Sequence, residues 1–240
     1  MGLEITGVDW PEQLSIETSS SCNLRCVMCP HSINGVKRPN KMPVPLTQKI
    51  LPQIRQAKKI ALHGIGEPLL SDSFWLLLKD IPKDCVSTVN TNLTVLTDQM
   101  IEDLFSSNLN SINVSIDSPY KDMYYKIRGY DLDIILENIK KLVGRSIKIY
   151  ANMTLMKSTI DSIQDFMDLM IGEIGCDGVF VWPLNRWEEK DTKAYAGTLR
   201  GWDFNYEEEG LWNIDYIPKL ESAKEYAKDR GWKFFCRKET

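Results

Sequence analysis

Several features are missing from this chain, and each absence narrows the reading. No apolar run among its 240 residues approaches the ~20 needed to span a membrane, and the opening stretch MGLEITGVDW has no apolar signal-peptide core. A membrane role is therefore not expected, and a cytoplasmic location is. No sign of charge dominates: 29 basic and 33 acidic residues leave a net charge of −4. Nothing in that balance favours nucleic acid or an anionic surface as a partner. Internal repeats and low-complexity tracts are also absent, which argues against solenoids and disordered arrays. The six cysteines do not form the framework of a small secreted domain. A chain of this length buries a core without disulfide staples. With 43% hydrophobic and 26% charged residues, one large α/β domain is the simplest organisation.

Short strand-like runs alternate with helical patterns. Strands are expected at 13–17, 59–62, 86–89, 111–116, 147–155 and 178–182, with a last one at 232–235. Helices are expected at 46–57 (with Pro52 as a kink), 73–79, 97–106, 131–143, 160–170 and 217–229. Leu132, Ile135, Ile139 and Leu142 repeat at helical spacing, and Thr97 and Asp98 supply cap chemistry. Six β–α units in series imply parallel strands with right-handed crossovers. Either an open doubly wound sheet or an incomplete barrel satisfies this, and both place sites at the C-terminal strand ends. One segment breaks the rhythm. Residues 183–216 are long, polar and aromatic, with Trp187, Trp202, Phe204, Tyr206, Trp212, Tyr216 and the acidic run Glu207–Glu209. They read as a functional loop or as a surface excursion with its own apolar cluster.

Cys22, Cys26 and Cys29 stand at C-x3-C-x2-C spacing directly after the first expected strand, so they fall on a β–α loop. Thiolates suit zinc or iron–sulfur clusters. Structural zinc takes four protein ligands; His31, His63 or Cys236 would be the fourth, and no spacing favours any of them. A cubane cluster has four irons, so three cysteines leave one iron open to a substrate or cofactor. The competing arrangement is a buried helix face, because positions i, i+4 and i+7 lie on one side. Ser19–Ser21, Asn23 and Pro30 bracket the cysteines with loop-forming residues instead.

On this spacing the chain resembles the radical S-adenosylmethionine (radical SAM) superfamily, for which it is the hallmark. The resemblance continues along the strand ends. His63–Leu70 (HGIGEPLL) looks like the family's glycine–glutamate motif, which implies that Gly66 and Glu67 receive the methionyl amino group of SAM. Thr91-Asn92-Leu93 is similar to a threonine–asparagine–glycine sequence, with leucine in the glycine position, and implies Asn92 as a hydrogen-bonding partner of SAM or substrate. Ser115 is implied at the ribose or carboxylate of SAM, and Asp117 as the catalytic residue facing the substrate. Arg128, in YYKIRG, is implied to pair with the SAM carboxylate, a task that suits its planar fork. Asn152 joins the cofactor set, with Thr154, Trp182 and Asn185 as further candidates, and Met28 takes the place of an aromatic beside adenine. Each has a plainer alternative: turn glycines, a turn asparagine, a surface arginine at a helix end.

The resemblance implies an incomplete (β/α)6 TIM-like barrel with parallel strands. Residues 1–185 would form the partial-barrel core. Residues 186–240 would add the aromatic and acidic loop, a helix and a strand; they would either begin a truncated SPASM or twitch extension, with Cys236 a first auxiliary ligand, or stand where such an extension has been lost, with Cys236 an ordinary thiol. It also implies the cofactors, a [4Fe–4S] cluster held by Cys22, Cys26 and Cys29, and SAM. The reaction would be oxidoreductase-like: reductive cleavage of SAM to a 5′-deoxyadenosyl radical, which takes hydrogen from a peptide or a small polar metabolite. An electron donor such as flavodoxin or ferredoxin follows. Two alternatives stand beside this: an activating enzyme of the glycyl-radical type, and a non-catalytic iron–sulfur or zinc module.

Overall fold

The strands of this protein carry two kinds of side chain in strict alternation, and that alternation builds the fold. In β5 (Lys148–Leu155), Ile149, Ala151, Met153 and Leu155 are buried against helices, while Tyr150, Asn152 and Thr154 face the other way. The remaining strands follow suit. The apolar face of the sheet meets the helices and the polar face lines an open interior. In the computed structural model, residues 11–33, 40–185, 196–212 and 214–236 are described.

Seven strands form one parallel sheet. β1 (Gln13–Ser15), β2 (Lys59–Leu62), β3 (Val86–Thr91), β4 (Ser111–Ser115), β5 and β6 (Gly178–Pro183) lie side by side in chain order. β9 (Phe234–Cys236) pairs with β6 at the far edge. The sheet is open between β1 and β9, an incomplete TIM-like barrel of α/β class. Helices intervene: α1 (Pro30–Ile33), α2 (Val44–Ile54), α3 (Asp72–Leu78), α4 (Asp98–Ser106), α5 (Lys121–Arg128), α6 (Leu132–Lys140) and α7 (Ile163–Met167). A hairpin of β7 (Ala196–Leu199) and β8 (Trp202–Asn205), a short α8 (Tyr206–Glu209) and α9 (Ile217–Asp229) precede β9. The sheet thus runs across the boundary expected at residue 185. No helix among the described residues is long and apolar enough to cross a membrane.

Local chemistry sets the element ends. Thr97 accepts the Met100 N–H at 3.2 Å and starts α4. Asp131 caps α6 through the Asp133 N–H. Gly129, at φ +73°, closes α5 in the left-handed region. Pro52 falls in the last turn of α2, so the expected kink becomes a stop at Ile54. The single helix expected at 160–170 is instead a 3-10 turn, a short α-helix and a π-helical turn running to Glu173. Leu132, Ile135, Ile139 and Leu142 are all buried, as their spacing requires. Each stabilises the fold by about 1.5–3 kcal/mol through burial.

Candidate active site at the strand ends

The loop after β1 carries the three cysteines, and it is fixed on several sides. The Thr18 carbonyl accepts the Ser71 hydroxyl at 2.8 Å and the Met42 N–H at 2.9 Å. Glu67 N–H donates to the Ser21 carbonyl at 2.9 Å, and Val27 N–H to the Ile127 carbonyl at 2.9 Å. Helix α1 begins only at Pro30, so the cysteines occupy a loop and not a helix face. Cys26 is buried, Cys22 and Cys29 are half-buried, and none of the six cysteines is in a disulfide. Burial raises the pKa of the Cys22 thiol and pushes that of Cys26 up to about 12 against the pull of Arg128. Metal loading here would therefore release protons. Among the described residues, no three Cys, His, Asp or Glu side chains converge tightly enough for a single ion.

All three cysteines face a cavity of about 630 Å³ bounded by the C-terminal ends of the strands, within the range of small-molecule sites. Met28, Gly66, Glu67, Asn92, Ser115, Asp117, Arg128 and Asn152 all border it. Geometry also gives several of them partners within the protein. Glu67 is buried and its carboxylate is occupied. Oε1 accepts the Thr91 hydroxyl at 2.6 Å and the Leu69 N–H at 3.1 Å, and Oε2 accepts the Asn92 N–H at 2.7 Å. These bonds tie the β2 loop to the end of β3 and leave Oε2 with one further acceptor position. Burial raises the Glu67 pKa, and these hydrogen bonds oppose the rise. Gly66 has a packing reason of its own. A Cβ there would lie 2.2 Å from the Ser19 carbonyl oxygen and 2.6 Å from that of Ser21. Backbone groups of Gly64–Gly66 remain for a ligand.

Asn92 also departs from its expected role. Its Oδ1 accepts the Thr94 N–H at 3.0 Å and the Thr94 hydroxyl at 2.7 Å, so its Nδ2 points the other way. Nδ2 donates to Asn23 Oδ1 at 3.0 Å and to Cys22 Sγ at 3.7 Å. The leucine that follows takes φ +53°, the conformation a glycine would adopt there. Its cost, ~1–2 kcal/mol, is offset because Leu93 is fully buried in the core and its carbonyl accepts Asn138 Nδ2 at 3.1 Å.

Asp117, expected to face a substrate, borders the cavity and is also bound into the protein. It sits at φ +72° and is 1% exposed. Its Oδ1 accepts the Thr154 N–H at 2.8 Å, and Oδ2 pairs with Arg128 Nη2 at 2.7 Å. The geometry makes it a positioning group for Arg128 and not a free acid or base. Arg128 is buried too, and its Nη1 reaches Cys26 Sγ at 3.8 Å. Burial is the largest single influence and would lower its pKa, but Asp117, Cys26 and Tyr124 together outweigh it and raise it. Arg128 Nε, Asn152 Oδ1, Asn113 Oδ1 and His63 Nδ1 are buried and find no hydrogen-bond partner among the described residues. Such orphaned groups around a cavity fit a polar ligand. Burial lowers the His63 pKa.

The aromatic segment after β6 is not a separate surface cluster. Phe204 and Tyr206 are fully buried and pack with Leu24, Val27, Met28 and Ile127 beneath the cysteine loop. Arg200 fastens it, donating to the carbonyls of Arg25, Lys126 and Ile127 at 2.9–3.1 Å. Trp187 lies outside the described residues. Asn23, Thr94 and Arg200 were missed by sequence reasoning. Only the Arg200-Gly201 pair, both at positive φ in a two-residue hairpin turn, carried a local signal.

Comparison with known proteins agrees with this geometry. The family model described as Radical SAM superfamily matches residues 16–170. A GTP 3′,8-cyclase of Clostridium botulinum is 30% identical over 174 residues, covering 65% of this chain and 51% of that protein. The chain thus spans about half the length of the curated relatives it matches. Streptococcus suis SuiB bound to S-adenosylmethionine superposes with a TM-score of 0.74 at 18% identity, over 96% of this chain and 51% of that one. SuiB bound to its precursor peptide SuiA gives 0.73 at 20%, over 95% and 49%. A cysteine loop matching the hallmark spacing, an open parallel half-barrel and a family match over well over half of the chain lead to one conclusion: the protein belongs to the radical SAM superfamily.

Proposed function

We propose that the protein cleaves SAM reductively and takes hydrogen from an uncharged substrate, with a peptide as the first candidate. The superfamily's cofactors are a [4Fe–4S] cluster and SAM. Cys22, Cys26 and Cys29 would hold the cluster, and the cavity beside them would hold SAM. When bound, these groups supply a one-electron cleavage that yields methionine and a 5′-deoxyadenosyl radical. The chain's own residues supply the rest. Glu67, Thr91 and Asn92 hold the β2 and β3 loops in register. The backbone of Gly64–Gly66 offers polar groups to an amino group. Arg128, held by Asp117, presents cationic charge near the cysteines. Ser115 and Asn152, neighbours across β4 and β5, offer a hydroxyl and an amide to a ribose. Met28 offers an apolar contact to a base. Phe204 and Tyr206 exclude water beneath the cysteine loop.

The observation that carries this reading is the convergence of three free thiols on one polar, ligand-sized cavity. Substrate class follows from the wall chemistry. Among the described residues, Arg128 is the one Lys or Arg lining the cavity, and Asp117 pairs with it. Asn90, Asn113, Thr88 and Thr154 are neutral. Such a wall suits amide and hydroxyl groups better than a triphosphate. The peptide-bound SuiB supports a peptide, since that fold admits one. A small metabolite is the second reading, favoured by the likeness to GTP 3′,8-cyclases. Flavodoxin or ferredoxin as electron donor belongs to the proposal.

The test is anaerobic iron and sulfide reconstitution, then dithionite and SAM, with 5′-deoxyadenosine as the readout. Wild type should form it, and a variant with Cys22, Cys26 and Cys29 all changed to alanine should not. Uptake of zinc with no iron by the wild type would remove the premise.

A further inference from the structure

Asn92 sits where two constraints meet. Its carbonyl oxygen is committed to the Thr94 backbone N–H at 3.0 Å, and a backbone N–H can only donate. The amide orientation follows: the NH2 group must face away, toward Asn23 Oδ1 and Cys22 Sγ. Asn23 Nδ2 in turn donates to the Thr94 hydroxyl at 2.7 Å, and that hydroxyl donates to Asn92 Oδ1 at 2.7 Å, closing a ring of side chains. On its other side, Asn92 N–H is held by Glu67. The ring is built on a strained turn, since Leu93 takes positive φ directly after Asn92. An amide this firmly oriented has little freedom to reorganise toward a ligand, but it holds a fixed dipole on the cysteine sulfur.

We propose that Asn92 is a positioning residue acting through Cys22: its N–H···S bond stabilises the charge that a sulfur-bound cluster gains on reduction. Hydrogen bonds to cluster sulfurs are one of the means by which a protein sets reduction potential. Asn92 then makes the cluster easier to reduce, and the Asn23–Thr94 ring keeps the donor aimed. The inference rests on the cluster reading above.

Asn92→Asp tests it. Aspartate keeps an oxygen for the Thr94 N–H and replaces the donor with an acceptor. Reconstituted full chain is poised anaerobically at the wild-type midpoint potential, and the reduced fraction is read from the electron paramagnetic resonance signal, alongside iron content. The reduced-to-oxidised ratio should fall by at least about tenfold, which for one electron is ~59 mV, with iron content unchanged. Asn92→Ala, which removes the donor without adding charge, should shift it in the same direction by less, and it serves as the measurement if the aspartate variant fails to hold iron. A ratio equal to wild type in an iron-loaded Asn92→Asp protein, or in Asn92→Ala where only that variant loads, overturns the inference and leaves the cluster reading intact. A wild type that takes up no iron overturns both.

Discussion

Asp117→Asn separates the charge of Asp117 from everything else the residue does. Asparagine tolerates the left-handed φ of +72° nearly as well as aspartate. Its Oδ1 still accepts the Thr154 N–H. What disappears is a negative charge whose oxygen lies 2.7 Å from Arg128 Nη2. Arginine does not relieve the loss by shedding its proton. With charge centres ~4 Å apart and an effective dielectric of ~20, the lost attraction is ~4 kcal/mol. Removing one partner of a buried pair costs about 3–5 kcal/mol, so the two estimates agree. Urea unfolding of the cluster-free protein, followed by circular dichroism, should show the midpoint falling by about 1–2 M with an unchanged slope. Arg128→Met alone should also destabilise, because it strands a buried carboxylate. The double variant should be more stable than the sum of the singles by at least ~2 kcal/mol. Additive single effects, or an Asp117→Asn loss under ~1 kcal/mol, would refute the argument that the pair is buried and coupled.

Gly66→Ala drives a Cβ into the backbone of the cysteine loop, 2.2 Å from the Ser19 oxygen; it should cost about 1–3 kcal/mol in unfolding and reduce iron uptake severalfold. At Gly64 the three atoms nearest an added Cβ all belong to the Glu17 side chain, so the effect of Gly64→Ala on melting should stay smaller and shrink in a Glu17→Ala background; equal damage from both glycine variants would contradict the contact geometry. Burial raises the Cys176 thiol pKa from 9.0 to about 12, and because the thiolate is the nucleophile, its rate with a disulfide reagent at pH 8 should be about a thousandfold below that of an ordinary thiol until urea unfolds the chain. The rate should still be climbing at pH 10, and a fast native-state reaction lost in Cys176→Ala would contradict its burial.

Much of the architecture was written in local periodicity. Strands 59–62 and 148–155 and helix 217–229 lie within a residue of their expected bounds, because alternating or helical apolar spacing responds to the same core that buries it. The hairpin at 196–205 escaped notice because residues 183–216 show polar and aromatic character without strict alternation, and Phe204 is buried by contacts with Leu24 to Met28, far away in sequence. Helix 121–128 was treated only as the bearer of Arg128. Its C-terminal glycine signal was present at Gly129.

The division at the site is sharper. Sequence alone determined the three cysteines, their spacing and their place after the first strand, because residue type and spacing are local properties of the chain. It also determined which strand ends carry polar groups. Only the tertiary structure decided what those groups do. Glu67 turns to Thr91 and Asn92, Asp117 turns to Arg128, and Asn92 turns to Cys22. The physical reason is that a buried polar group must find a partner. Which partner lies within hydrogen-bond distance depends on how segments 11 to 70 residues apart in sequence come together, and no local pattern records that.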